Sequence, residues 1–323
     1  MNNTVKSPIE MMYQWEQETP DKIFLRQPSN LIWSEYSWSD TADQVRRVAQ
    51  YLINKDFPKG SRIAIWAANS KDWVIADLAI MLSGHISVPI YPGQDIASAA
   101  YILEHSGAQL VFAGIFDQAE NIQQALPSGV TTVGMLGCTA ASHTSLTEII
   151  DTVEPFTQSP VPALDDVFTI IYTSGTTGNP KGVMHMHRTP GHAVPGMSET
   201  FKMNREDSHL FSFLPMAHAA ERIIVEMAGI YSNSSISFSE GLATFGDEIR
   251  SVQPTFFFAV PRLWLKFKEG IDVKIPKEHQ ALLTDLQKKD IAKALGLSNA
   301  RVIITGSSPC PRDVQDWFLD MGI

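Results

Sequence analysis

From residue 62 onward, short apolar runs alternate with longer stretches that carry apolar residues at helical spacing. RIAIWAA (62–68) leads into SKDWVIADLAIMLSG (70–84), ISVPIY (86–91) leads into IASAAYILEHSG (96–107), and QLVFAG (109–114) follows. The pattern resumes with HLFSFLP (209–215), a helix from Ala217, SISFS (235–239), a helix from Ala243, TFFFAVP (255–261) and RVIITG (301–306). Such runs read as buried strands, and their alternation with helices predicts βαβ units, right-handed crossovers and mostly parallel sheet. The helix around Trp73, Asp77 and Ile80 is apolar on nearly every side, which predicts packing between layers. Residues 151–166, DTVEPFTQSPVPALDD, read as a linker or long surface loop. Two α/β lobes are expected, with that loop near their junction. Ligands of such folds bind beyond the carboxyl ends of the strands.

Composition narrows the class without naming a chemistry. The 323 residues carry 25 Lys and Arg against 35 Asp and Glu, a formal charge of −10. With no long basic run, no nucleic-acid surface is expected, while a local pocket for a small anion stays compatible. Cys138 and Cys310 make no disulfide framework, so a reducing cytoplasm is the expected location. No run approaches the roughly 18 apolar residues of a membrane span, and residues 1–17 lack the apolar core of a signal peptide. Peripheral membrane contact stays open.

The strongest local signal is YTSGTTGNPKG (172–182), placed directly after the apolar run VFTII (167–171). A phosphate needs close backbone N–H groups, hydroxyl donors and a positive charge. This stretch offers Gly175, Gly178 and Gly182, the hydroxyls of Thr173, Ser174, Thr176 and Thr177, and Lys181. A Walker A loop would need glycine where Pro180 stands, so the phosphate loop is of another design. A plain flexible surface turn is the alternative reading.

YTSGTTGNPKGV resembles the signature loop of the adenylate-forming enzymes, the superfamily of acyl-CoA synthetases, firefly luciferase and peptide-synthetase adenylation domains. Residues 62–93 are similar to that superfamily's N-terminal strand–helix–strand segment. FLPMAHAAERIIVE (213–226) resembles its LP-x-x-H-x-x-E-R motif, FFFAVPRLWLKFKEGI (256–271) its V-P-R-x-W segment, and IITGSSPCP (303–311) its adenine-side turn. The likeness is strongest to bacterial long-chain fatty acyl-CoA synthetases. It implies an α/β fold of two interleaved lobes of mostly parallel sheet flanked by helices, the large N-terminal domain of such enzymes, with lobe one from about 56–192 and lobe two from about 1–55 together with 193–323. The implied activity is ATP-dependent conversion of a medium- or long-chain fatty acid to acyl-adenylate and then acyl-CoA.

The resemblance assigns roles residue by residue. Thr173, Ser174, Gly175, Thr176, Thr177, Gly178 and Lys181 would close over the phosphates of ATP, with Thr177 beside Mg²⁺. Gly306, Ser307 and Ser308 would lie against the adenine or ribose. His218 would sit beside the carboxylate and α-phosphate, and His218 and Lys181 are the candidate catalytic side chains. From the residues alone, His218, Glu221 and Arg222 at i, i+3 and i+4 equally describe a salt-bridge network on one helix face. His185, His187 and His192 suggest a metal by spacing, but read more simply as a strand-to-helix connection. A serine-nucleophile elbow at 306–310 is disfavoured because Cys310 stands where glycine belongs. Trp264 and Arg262 read as a packing and a surface residue.

Thr189 and Pro190 replace the family's usual Asn after the His-Arg pair. No counterpart of the family's Y-G-x-T-E loop, ribose-binding aspartate, hinge or small C-terminal domain occurs between Met1 and Ile323. The resemblance therefore implies an incomplete large domain, with the Mg²⁺ and CoA sites unfinished and one sheet edge uncovered. Such a chain would act with a second copy or a complementing chain. A partner-dependent nucleotide-binding fragment is the competing expectation.

Overall fold

The computed structural model describes residues 5–173 and 179–323. Its strands are β1 (Ile23–Ser29), β2 (Ile32–Ser37), β3 (Arg62–Trp66), β4 (Ile86–Ile90), β5 (Ala108–Ala113), β6 (Thr131–Gly134) and β7 (Thr144–Ser145). Then come β8 (Val167–Thr173), β9 (Lys181–Met186), β10 (His209–Ser212), β11 (Ser235–Phe238), β12 (Phe256–Ala259) and β13 (Val302–Thr305). Among the described residues they form a seven-stranded sheet ordered β7-β6-β5-β3-β4-β8-β9, a four-stranded sheet β10-β11-β1-β2 and a pair β12-β13. All neighbours are parallel except β1 with β2 and β8 with β9.

The expected apolar runs each contain a strand, and the fold is the expected mixed α/β arrangement. The second sheet interleaves distant chain, since Leu25 of β1 lies in register with Ile236 of β11. The helix Lys71–Leu82 is buried along its whole length from Asp72 onward, which is what an all-round apolar helix between layers must be. Ser70 caps it by accepting from the Trp73 amide.

Two segments differ from the sequence reading. KGVMHM is a strand, β9, running back antiparallel along β8, so His185 lies in sheet and not in a strand-to-helix connection. Gly182 is likewise inside β9 and not in the loop. A Cβ there would stand 2.7 Å from Ile170 Cγ2 and 3.2 Å from the Tyr172 ring, so close cross-strand packing accounts for the glycine. The stretch 151–166 begins in the helix Leu146–Thr152 and is then strapped to the body. Arg46 donates to the carbonyls of Phe156 and Gln158, and Tyr13 Oη to that of Pro160. The N-terminal helices Pro8–Glu18 and Trp38–Ile53, both begun by capping boxes at Ser7 and Ser37, complete the outer layer. β13 pairs with β12 on one side, and no strand lies on its other side among the described residues.

Candidate active site

The carboxyl ends of the parallel strands bring the candidate residues together. Thr173 closes β8 and Lys181 opens β9, paired across the hairpin mouth and both exposed. Ser174, Gly175, Thr176, Thr177 and Gly178 lie outside the described residues. An exposed hydroxyl facing an exposed lysine is a donor set suited to a phosphate. Because β8 runs parallel to β4, this mouth lies at the same sheet end as Tyr91, the residue after β4. The His218 ring meets Tyr91 edge-on, with centroids 6.4 Å apart. His218 therefore stands at the end of the sheet where the hairpin opens.

His218 caps the short turn Ala219–Glu221, its Nδ1 accepting from the Ala220 amide at 3.1 Å. That bond leaves the ring proton on Nε2 and presents an N–H edge outward. The trio His218, Glu221 and Arg222 is not a salt-bridge network, because its members diverge. Glu221 is buried and accepts at Oε1 from Ser212 Oγ (2.9 Å) and the Phe213 amide (3.0 Å). Arg222 turns the other way, into the seam between the helix and the seven-stranded sheet.

There Arg222 Nη2 donates to both oxygens of Asp77 at 2.5 Å and to Ser87 Oγ at 3.0 Å, while Nη1 donates to Thr169 Oγ1 at 2.7 Å. Its guanidinium lies 5.2 Å from the Trp73 ring centre and 5.3 Å from that of Phe168. Glu226, one turn on, approaches Arg222 Nε at 3.4 Å. Burial and the neighbouring Asp77 push the Glu226 carboxyl well above the ordinary range, which favours its neutral form. One guanidinium thus serves a helix, two strands and the π-helical turn Arg222–Met227. Turns of this kind are frequent at functional sites. Asp77, in the middle of the apolar run of its helix and five residues past Asp72, was the sequence signal for this cluster, since a buried carboxylate needs a charged or hydrogen-bonding partner.

Burial pushes Glu221 up to about 8, against the hydrogen bonds from Ser212 and Phe213 that pull it down. Its folded value lies above the ordinary 4.5, so its contribution to stability is complete below that pH and is lost as pH rises through about 8. Glu221→Gln, which mimics the protonated acid, is expected to remove about 2–3 kcal/mol of that loss between roughly pH 5.5 and 7.5. Urea midpoints of both proteins across this window measure it. Parallel pH profiles would show that Glu221 is ionised throughout.

Gly306, Ser307 and Ser308 follow β13 at its carboxyl end, where Thr305 is in register with Ala259. Ser307 has φ +68°, and the Gly306 Cα packs against the Phe258 ring, leaving 3.0 Å for a Cβ. This exposed turn makes no hydrogen bond to Thr173, Lys181 or His218 among the described residues. Of the three closely spaced histidines, His187 is buried against Phe168, where desolvation lowers it to about 4, and His192 is exposed on the helix Arg188–Thr200. Among the described residues no three His, Cys, Asp or Glu side chains gather as a metal site would require. These residues do not by themselves fit Mg²⁺, and no step below passes through it.

Residues 12–323 match the family described as AMP-binding enzyme. The chain belongs to that family. It is 28% identical over 263 residues to the long-chain-fatty-acid–CoA ligase FadD15 of Mycobacterium tuberculosis, covering 79% of this chain and 44% of the relative. It is 26% identical over 346 residues to the rat (Rattus norvegicus) long-chain-fatty-acid–CoA ligase ACSBG2, covering 90% of this chain and 51% of the relative. The AMP-binding chain thus spans about half the length of the curated relatives it matches. Its fold is shared with ATP-bound MatB from Rhodopseudomonas palustris, at TM-score 0.76 and 20% identity over 98% of this chain and 57% of that one. The N-terminal domain of FACL13 from Mycobacterium tuberculosis gives TM-score 0.75 at 22% identity over 98% of this chain and 74% of that one.

Proposed function

We propose that this chain carries the nucleotide- and acid-binding part of an ATP-dependent, AMP-forming acid–CoA ligase acting on a medium- or long-chain fatty acid. In the first half-reaction a carboxylate oxygen attacks the α-phosphorus of ATP. The bond to the bridging oxygen breaks, and pyrophosphate leaves as acyl-adenylate forms. In the second, the sulfur of CoA loses its proton and attacks the acyl carbonyl carbon, and AMP leaves.

The observation that carries this reading is the placement of the Thr173–Lys181 pair and of His218, beside Tyr91, at the same end of the seven-stranded sheet, in a chain of the AMP-binding family. In this role Lys181 offsets phosphate charge, and the outward Nε2–H of His218 donates to the acid or the developing mixed anhydride. The fatty-acid assignment draws support from the relatives' names. A cavity of about 20 Å³ lies in the seam that Arg222 enters, lined by Phe168, Ile171, Ile223 and Met227 together with Thr169 and Arg222. That is room for about one water, so an acyl chain entering there would have to part Ile223 and Met227 from β8. The partition into a lobe of about 56–192 and a lobe of about 1–55 with 193–323 belongs to the same proposal, supported by the two interleaved sheets.

ATP–pyrophosphate exchange by the native gene product, with fatty acids of graded length, tests the function. Lys181→Ala is expected to raise the KM for ATP about 10- to 100-fold, the value of one charge-assisted hydrogen bond. Nucleotide binding without exchange for any acid would replace the ligase with a binding module.

A further inference from the structure

We propose that Asn69 is a positioning residue for His218, clamping the turn that carries the histidine to the carboxyl end of the seven-stranded sheet. The proposal rests on the ligase reading for its catalytic consequence but not for its geometry. Asn69 is half-buried in the connection between β3 and the helix Lys71–Leu82, next to the Ser70 cap. It reaches across to the end of β10, in the other sheet. The Met216 amide donates to Asn69 Oδ1 at 2.9 Å, and Asn69 Nδ2 donates to the Leu214 carbonyl at 2.6 Å and to Ser212 Oγ at 2.8 Å.

These partners leave no freedom in the amide. A backbone N–H only donates, so the atom facing Met216 is the oxygen. A carbonyl only accepts, so the atom facing Leu214 is the nitrogen. With both Nδ2 protons used, the Ser212 hydroxyl has its own proton for Glu221 Oε1, which also receives the Phe213 amide. The polar groups of residues 212, 213, 214 and 216 are thereby fixed from one side chain and one buried carboxyl. His218 follows two residues later, its amide bonded to the Pro215 carbonyl at 2.8 Å. The anchor is rigid, because the helix after Asn69 is buried from Asp72 to Leu82.

A side chain that merely tied two loops together would affect stability and nothing else. Asn69 acts on a turn whose last residue presents an N–H edge at the site, so its loss displaces that edge. A displacement of about 1 Å in a reacting group costs on the order of 100-fold in rate.

The test uses the native gene product and the variants Asn69→Ala and Asn69→Asp. The second keeps the shape but replaces both donors with an oxygen facing a carbonyl. Acid-dependent pyrophosphate exchange should lose about 100-fold in kcat for each, with the KM for ATP within about threefold of the parent. In a His218→Ala background, Asn69→Ala should add less than about threefold, because both act through one group. Independently of activity, ¹³C-histidine spectra should show the His218 resonance shifted and broadened by Asn69→Ala, with His209 in the second sheet unmoved. Should the Asn69 variants not fold, Ser212→Ala, which removes the link to Glu221, should displace the same resonance. An unmoved His218 resonance, or a full further loss of rate on top of His218→Ala, overturns the proposal. If the parent shows no acid-dependent exchange, the ligase reading fails, and the histidine spectra alone decide the clamp.

Discussion

Arg222→Leu is expected to destabilise the fold by about 3–5 kcal/mol, the usual cost of removing one partner from a buried ion pair. Asp77 and Glu226 are fully buried, and the guanidinium is the cation the structure places between them. Without it, Asp77 must protonate or draw in water, and Ser87 Oγ and Thr169 Oγ1 each lose a charged donor. Glu226→Gln should cost under about 1 kcal/mol, since burial favours the neutral form of Glu226 and a neutral amide occupies the same space. Urea denaturation of both variants at neutral pH provides the comparison. Equal losses would mean that Glu226 is ionised and that the charge balance drawn above is wrong.

His218→Ala is expected to lower the rate of acyl-adenylate formation by about 100- to 1,000-fold, the range seen when one preorganised donor to a developing charge is removed. Stability should fall by no more than the cap is worth, because His218 is exposed and, among the described residues, its one side-chain bond is the capping one from Ala220. Loss of that cap costs on the order of 1 kcal/mol. His218→Asn restores an acceptor for the cap without the imidazole edge, so it should recover stability and not rate. Single-turnover formation of acyl-adenylate and a thermal melt separate the two effects. Rates within about threefold of the parent would remove His218 from the reaction.

Much of the architecture was legible because strand and helix periods are local. The run RIAIWAA needs no knowledge of its neighbours to read as a buried strand, and β3 duly lies in the centre of its sheet. β9 was harder. KGVMHM lacks the long apolar run of a central strand, and as the edge partner of β8 it keeps Val183 and Met184 exposed. Its glycine also read as part of the phosphate loop, although packing on Tyr172 explains it. His218 was visible through its motif, whereas Asn69 was not. Nothing in the sequence says that a side chain between a strand and a helix bonds to a turn over 140 residues away. The pairing of Arg222 with Asp77 was hidden for the same reason. An acid such as Asp77 within an apolar run needs a partner, but the run does not say which, and the i+4 spacing around Arg222 pointed to other residues.

The interleaved second sheet also sets an order of events during synthesis. The strands from β3 to β9 all lie between residues 62 and 186, so the seven-stranded sheet can close as soon as that stretch has left the ribosome. β1 must wait, because its parallel partner contributes Ile236 opposite Leu25. At about 5–20 residues per second, that interval lasts roughly 10–40 s. Throughout it, the apolar face that holds Phe24 and Leu25 has no sheet to join, although both residues are fully buried in the finished fold. The nascent chain thus carries an apolar hairpin without its sheet partner until β11 has emerged. Holdase chaperones that bind exposed hydrophobic strands should engage residues 23–37 and release them once β11 arrives.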